Sequence, residues 1–477
     1  MKKYIFNKQT FLLFAVFTFV ASCDVFNLDE KPKSFTGPEN YYNSPAQIET
    51  IIVGTMRRSF NGSGWSGYAW NPDLCYHTDQ CGGDLVITMN YASDMWTIHF
   101  ANLMDLNHAI RAMVDGKVTG MSQEDENRLM GQLKFLRAWN YFQLVRFWGG
   151  LPLLTEEDVD EYFVKLPARA SVAEVYDLIV KDFTEAIQKL PSDWGTLVGR
   201  PAKDAAKGLL AKAYVTMATA PLNDASCYAK AAAMAKEVMD AGKYQLVENI
   251  EDVFRMETKY GPEMMWSFNA NDQVRSTDPR IWSAIHGWGD YYVDRFWADS
   301  VYPEQPRKYQ YLEFYSRDGI FHDELGEGIG IQKYLYDTWE NFNRGSTTIN
   351  IPIIRFADVL LIFAEAENMS KGGPTQEAVD AINQVIDRAN GHEPNPAYPL
   401  LTTNLTRDQF DRAVINERSY ELCFEFDRWF DMCRKRIIPE VVRDFNLVNF
   451  TEADYLFPIP EVEIRLNPNM EQNPGYN

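Results

Sequence analysis

The chain has 477 residues, a formal net charge of −21, 46% apolar residues and 14% aromatic residues. So acidic a balance argues against nucleic acid as a partner and against a basic patch for lipid headgroups. Length and apolar content suffice for a large buried core, in two or three domains by length alone or in one merged helical array.

Lys2, Lys3 and Lys8 precede a ten-residue apolar run, Phe11 to Val20. That run is too short to span a bilayer and has the layout of a secretory signal. It ends Val20-Ala21-Ser22-Cys23, which resembles the bacterial lipoprotein box. The resemblance implies loss of residues 1–22 and acylation of Cys23, palmitate being one such chain, with residues 23–40 as a polar tether. Two or more acyl chains, at about 0.8 kcal/mol per buried methylene, make a durable anchor. Removal takes three lysines and no acid, moving the charge from −21 to −24.

Ser44-Pro45 has the form of a helix start, with Ile48, Ile51, Ile52 and Met56 on one face. Residues 61–91 break all periodicity, yet carry Trp65, Tyr68, Trp70, Tyr76 and Tyr91. Long loops inside a compact fold are usually functional, and polar loops normally shed large rings. Helical patterns follow over Trp96–Val114, Gln123–Phe147, Lys203–Ala220 and Tyr228–Ala241, and from the capping box Ser171-Val-Ala-Glu174 to about Leu190. Their spacing is that of tetratricopeptide-like helical pairs with a degenerate consensus. The fold expected is therefore mainly α, with long irregular loops and little β-structure.

Residues 248–344 change character, with short periodic pieces and a second aromatic concentration over 282–297: Trp282, His286, Trp288, Tyr291, Tyr292, Phe296 and Trp297. Helices return over Ile354–Ser370 and Thr375–Ala389, then a proline-containing loop over Gly391–Leu405. Ile415–Arg434 reads as one helix, with Glu417, Glu421 and Glu425 on one face and Leu422, Phe426, Trp429, Phe430 and Cys433 as an apolar stripe. From Asp454 the tail is proline-studded and reads as non-helical. The organisation expected is an N-terminal region over 41–245 and a C-terminal region over 246–477, merged in one globular unit.

Signals for chemistry are scarce. No HExxH, Walker loop or strand-borne GxGxxG is present, and the spacing around Ser63 does not make a nucleophile elbow. His77 and Asp79 between Cys75 and Cys81 match no standard zinc spacing, and no metal or cofactor is expected. Cys75 and Cys81 could form a disulfide, while Cys227, Cys423 and Cys433 read as buried thiols. His99 and His108, nine residues apart on one helix, cannot share a metal. Glu365, Glu417, Glu421 and Glu425 lie in apolar helices, either as acid catalysts or as halves of buried ion pairs with Arg355, Arg388, Arg418, Arg428 and Arg434. The ion-pair reading is the simpler one. Exposed Trp and Tyr faces stack on the apolar faces of sugar rings, and neighbouring polar groups bind the hydroxyls. The candidate ligand-binding residues are Trp65, Tyr68, Trp70, Tyr76, Trp288, Tyr291, Tyr292 and Trp297, and no catalytic residue is assigned.

Several segments together resemble the SusD/RagB family of Bacteroidetes outer-membrane lipoproteins. They are Leu133–Phe142 (LKFLRAWNYF), Arg146–Pro152 (RFWGGLP), Ala205–Tyr214 (AAKGLLAKAY) and Ile354–Ala366 (IRFADVLLIFAEA). Ile382–Ala389, the ER..EL.FE..RWFD pattern from Glu417, Phe457–Pro460 (FPIP) and Gln472–Tyr476 (QNPGY) follow in the same order. The resemblance implies a non-catalytic lipoprotein anchored in the outer membrane and facing the cell surface. It would capture a glycan for a SusC-like TonB-dependent transporter. A peptide-binding member of the same fold and a lipid-anchored glycoside hydrolase are the alternatives.

Overall fold

The computed structural model describes residues 41–59, 75–77, 89–159, 161–271, 273, 291–315, 328–334, 348–444 and 450–476. Among these, no helix is long and apolar enough to cross a membrane.

Helix α1 (Pro45–Ser59) packs on α2 (Met89–Val114), which packs on α3 (Gln123–Trp148). Each next helix docks on its predecessor: α4 (Val172–Lys189), α5 (Lys203–Met217) and α6 (Ser226–Asp240). The starts are set by side chains. Ser122 accepts from the Asp125 amide at 3.1 Å, and the Ser171–Glu174 capping box closes both ways. Helix α3 is buried on nearly every side from Leu129 to Trp148, as befits a helix apolar around its circumference. The alanines of α5 and α6 let these helices approach closely, and Gly208 does more. A Cβ there would meet Ile354 Cδ1 at 2.6 Å.

Between α6 and the next long helix the chain makes an excursion of short pieces. Strand β1 (Cys75–His77) pairs antiparallel with β3 (Tyr291–Val293), and β2 (Met264–Phe268) with β6 (Ile351–Arg355). Helix α7 (Pro306–Tyr311) leads into β4 (Leu312–Glu313), which pairs with β5 (Gly330–Ile331). Val293 bridges Ile329, so the backbone order across this ribbon is β1–β3–β5–β4. Helix α8 (Phe356–Lys371) then docks on α6 and resumes the helical array. It also packs against α9 (Gln376–Ala389) and α10 (Arg407–Glu421). The mainly α, tetratricopeptide-like scaffold expected from the sequence is the scaffold observed.

Helix α2 starts at Met89 rather than Trp96, and three further boundaries differ from the sequence expectation. Residues Ile354 and Arg355 end strand β6 rather than begin α8, because the β-branched Ile351, Ile353 and Ile354 fit the pleat opposite β2. The tail holds a short helix, α13 (Glu461–Leu466), entered through Pro460 with Glu461 and Glu463 in its first turn. Most consequential, Ile415–Arg434 is two helices. Helix α10 stops at Glu421 and α11 (Arg428–Lys435) starts after a turn, with α12 (Ile438–Asp444) beyond it. Phe424 and Phe426 sit in that turn at φ 61° and 70°, a conformation disfavoured for a side-chain-bearing residue. The carbonyls released by the break are taken by Lys333, which donates to Glu421 at 2.8 Å and Cys423 at 2.9 Å. Tyr334 donates to Phe424 at 3.0 Å, and Arg355 to Glu421 at 2.8 Å.

The tail docks on the end of α3. Phe457 N donates to Phe147 O at 2.7 Å, and Trp148 Nε1 to Pro458 O at 3.0 Å. Asn473 Nδ2 donates to both Phe457 O and Trp148 O. A Cβ on Gly150 would lie 2.4 Å from the Ala170 carbonyl oxygen, so the Gly-Gly pair is a steric requirement of this junction. Residues 146–152 and 457–476 are thus two halves of one structure.

Candidate functional site

The glutamates of α10 are the first candidates for chemistry. Arg307 Nη1 donates to Glu417 Oε1 at 2.6 Å and to Glu421 Oε2 at 2.5 Å. Arg355 Nη1 donates to Glu421 Oε1 and Glu263 Oε1, both at 2.6 Å, and its Nε to Glu425 Oε2 at 2.8 Å. Arg388 Nη2 donates to Glu421 Oε1 at 2.8 Å and Arg388 Nη1 to Glu263. Lys333 pairs with Glu425 at 2.5 Å. Glu263, Glu417, Glu421 and Glu425 are thus matched one for one by Arg307, Arg355, Arg388 and Lys333, all of them buried. Glu421, the one glutamate with three guanidiniums, is pushed upward by burial, yet Arg388, Arg355 and Arg307 hold it well below the usual carboxylate range. Burial wins at Glu417, which is raised against the opposing pull of Arg307.

A neighbouring cluster repeats the arrangement. Arg418 pairs with Asp431 and Asp358, each at 2.7 Å, and Arg434 with Glu365 at 2.5 Å. Lys212 joins Asp358 and Asp427. Burial works against ionisation of Glu365, but Arg434 and Lys435 push its carboxyl down to about 2.

An acid catalyst must meet its substrate. Glu417 and Glu421 are 0% exposed, and Glu425 lines a cavity of only about 30 Å³, room for about one water. These carboxylates are built as structure. Glu365, Glu417, Glu421 and Glu425 follow the ion-pair reading, with Arg355, Arg388 and Arg434 as named partners. Nothing in the sequence marks Arg307, Lys333 and Glu263, which lie in the irregular excursion where no periodicity signals a buried charge.

His99 is buried with Nδ1 2.7 Å from Asn140 Oδ1, and burial takes it down to about 4, so it is neutral at physiological pH. His108 stacks on Tyr42 at 5.6 Å. Cys227 and Cys423 are buried free thiols as expected, whereas Cys433 is a free thiol only half-buried. No group of three or more metal-ligating side chains occurs among the described residues. Cys81, His286 and His322 lie outside those residues.

The aromatic segments give a different picture. Trp65, Tyr68, Trp70 and Trp288 lie outside the described residues. Tyr76 and Tyr292 stand directly opposite each other in the β1–β3 pair, with His77 opposite Tyr291. Two segments more than 200 residues apart in sequence are therefore joined at their edges. The half-buried Tyr292 ring lies over Gly328, where a Cβ would meet its Cδ1 at 2.2 Å. Trp297 departs from the expectation of a ligand-facing ring. It is 1% exposed, edge-on to Tyr302 at 4.9 Å and to Phe424 at 6.2 Å, and serves the core. In its place the structure exposes Phe296, Tyr309 and Tyr315. The Tyr309 hydroxyl donates to Glu304 at 2.6 Å, and Lys308 reaches the same carboxylate at 3.1 Å.

Comparison with known proteins agrees with this architecture. The family model described as "SusD family" matches residues 241–476, and that described as "Starch-binding associating with outer membrane" matches residues 63–215. SusD-like protein P2 of Formosa agariphila is 27% identical over an alignment covering all of both chains. A SusD-like protein of Bacteroides ovatus is 24% identical over 90% of this chain and 82% of its own. Among solved structures, a SusD homolog from Bacteroides thetaiotaomicron superposes with a TM-score of 0.78 at 22% identity, over 92% of this chain and 98% of its own. A laminarin-binding SusD-like protein superposes with a TM-score of 0.70 at 20% identity, over 91% of this chain and 99% of its own.

Proposed function

Since the chain belongs to the SusD/RagB family, we propose that it is a non-catalytic glycan-binding lipoprotein of the outer membrane. Cys23 carries its acyl anchor, it faces the cell surface, and it hands oligo- or polysaccharide to a SusC-like TonB-dependent transporter. The observation that supports the binding role is the β1–β3 pairing, which sets Cys75–His77, from one aromatic segment, against Tyr291–Val293, from the other. A flat ring presents an apolar face to the C–H face of a pyranose, and the strands hold such rings on a fixed scaffold. The binding residues proposed are Trp65, Tyr68, Trp70, Tyr76, Trp288, Tyr291 and Tyr292. The locked state of the buried glutamates favours binding over hydrolysis.

Affinity electrophoresis in native gels containing amylopectin, laminarin or xylan tests this reading. The parent is expected to be retarded by at least one polymer, and Trp65→Ala, Trp70→Ala and Trp288→Ala to run faster on it. Variants that all run with a retarded parent would displace the site. Release of reducing ends that disappears with a Glu→Gln change would replace the binder with a hydrolase. Co-purification of a TonB-dependent transporter from solubilised membranes tests the partnership, and recovery as a free monomer alone counts against it.

A further inference from the structure

The loop between α4 and α5, residues 191–202, covers a cavity of about 230 Å³ whose far wall is β2 with Tyr244 and Tyr260. None of its lining residues belongs to the β1–β3–β5–β4 ribbon. The covering loop is fixed by its own bonds: Trp194 Nε1 donates to Pro201 O at 2.8 Å, Asn269 Nδ2 to Gly199 O at 2.8 Å, and Lys203 N to Pro191 O at 2.9 Å. The cavity is thus a built feature, with walls that hold their shape.

Its lining has two unusual properties. Trp266 is 2% exposed and its Nε1 has no hydrogen-bond partner among the described residues, and the 9% exposed Tyr244 lines the same cavity. Buried polar groups are almost always paired, so an unpaired one beside this cavity points to a ligand that completes it. The second property is mixed charge. Lys243 Nζ lies 3.7 Å from Asp193 Oδ2, and Arg200 lies over the Trp194 ring at 5.3 Å. An anion here would face a carboxylate and a cation would face two cations. A hydroxyl both donates and accepts, and suits both signs. At the mouth, the Tyr260 ring is 42% exposed.

We propose that this cavity is a second saccharide subsite, taking one pyranose unit of a glycan chain with its C–H face on Tyr260 and its hydroxyls on Tyr244, Lys243 and Asp193. It rests on the reading of this chain as a glycan binder. Two separated subsites on one rigid scaffold would let a long polymer bind far more tightly than a short oligomer.

The test uses the full chain in detergent, the polymer among amylopectin, laminarin and xylan that retards the parent, and the linear hexasaccharide of that polymer. Tyr244→Phe removes only the hydroxyl, and Tyr260→Ala with Lys243→Ala removes the exposed mouth. Both variants are expected to keep the parent's melting temperature. Calorimetry is expected to show two hexasaccharides per parent chain and one per double variant, with at least threefold weaker hexasaccharide binding at the second site in Tyr244→Phe. One hexasaccharide per parent chain, unchanged in both variants, removes the subsite and leaves the ribbon site standing. A parent retarded by none of the three polymers removes the glycan reading and the subsite with it.

Discussion

Around Glu421, four glutamates and four cations are packed in the buried interior with every charge matched. Along the β1–β3–β5–β4 ribbon, the chain runs in strands of two or three residues with large rings left half or fully exposed. The first region is expensive to disturb, because removing one member of a buried ion cluster strands the others without water. The second has little to lose from any single ring. Substitutions should therefore separate cleanly, those near α10 changing stability and those on the ribbon changing what the protein holds.

The sharpest way to break that contrast is Glu421→Ala. It leaves Arg307, Arg355 and Arg388 short of a partner and should cost about 3–5 kcal/mol or prevent folding, read from urea unfolding. A variant of parental stability that lost only ligand binding would return the cluster to the functional surface. Trp297→Ala should behave like a core truncation, at about 3–5 kcal/mol, although it lies at the end of the aromatic segment. If it instead weakened glycan retardation with an unchanged midpoint, the boundary between the regions is misplaced. Gly208→Ala should cost about 1–3 kcal/mol through its clash with Ile354, and Ile354→Val should recover part of that in the double variant.

Acid offers a gentler probe. Glu365 is held at about 2, against an ordinary 4.5, and Glu421 and Asp431 are also depressed by neighbouring guanidiniums despite burial. Between those values the unfolded chain binds more protons than the folded one, so stability is complete above about pH 4.5 and declines as pH falls toward 2. Urea midpoints at pH 7, 5, 4 and 3 should fall only over the last two, and a flat series contradicts the cluster's role. The smallest expected effect is Tyr292→Ala, roughly tenfold in glycan affinity, about 1.4 kcal/mol, with little change in melting temperature.

Much of the scaffold could be read from the sequence because its signals are local. Capping boxes at Ser171, helical apolar spacing and small residues in α5 each act within a few positions. The break after Glu421 was hidden because nothing within the helix causes it. Lys333, Tyr334 and Arg355 stabilise the strained turn at Phe424 and Phe426, and they arrive from distant segments. The same holds at the candidate site. Aromatic density picked out the two segments, but only the Tyr76–Tyr292 register shows that they meet, and Trp297 reads like its exposed neighbours until its burial is known. The cavity under the α4–α5 loop had no motif to announce it, since its walls come from three stretches of ordinary composition.

The matched cluster also dictates when this half of the chain can fold. Glu421 bonds to Arg307, Arg355 and Arg388 across 114, 66 and 33 residues. All three cations are synthesised before the carboxylate that neutralises them. Until α10 emerges, Glu263 is the one glutamate of the four available to them, so the full set cannot be buried with its charge matched. High contact order of this kind slows folding.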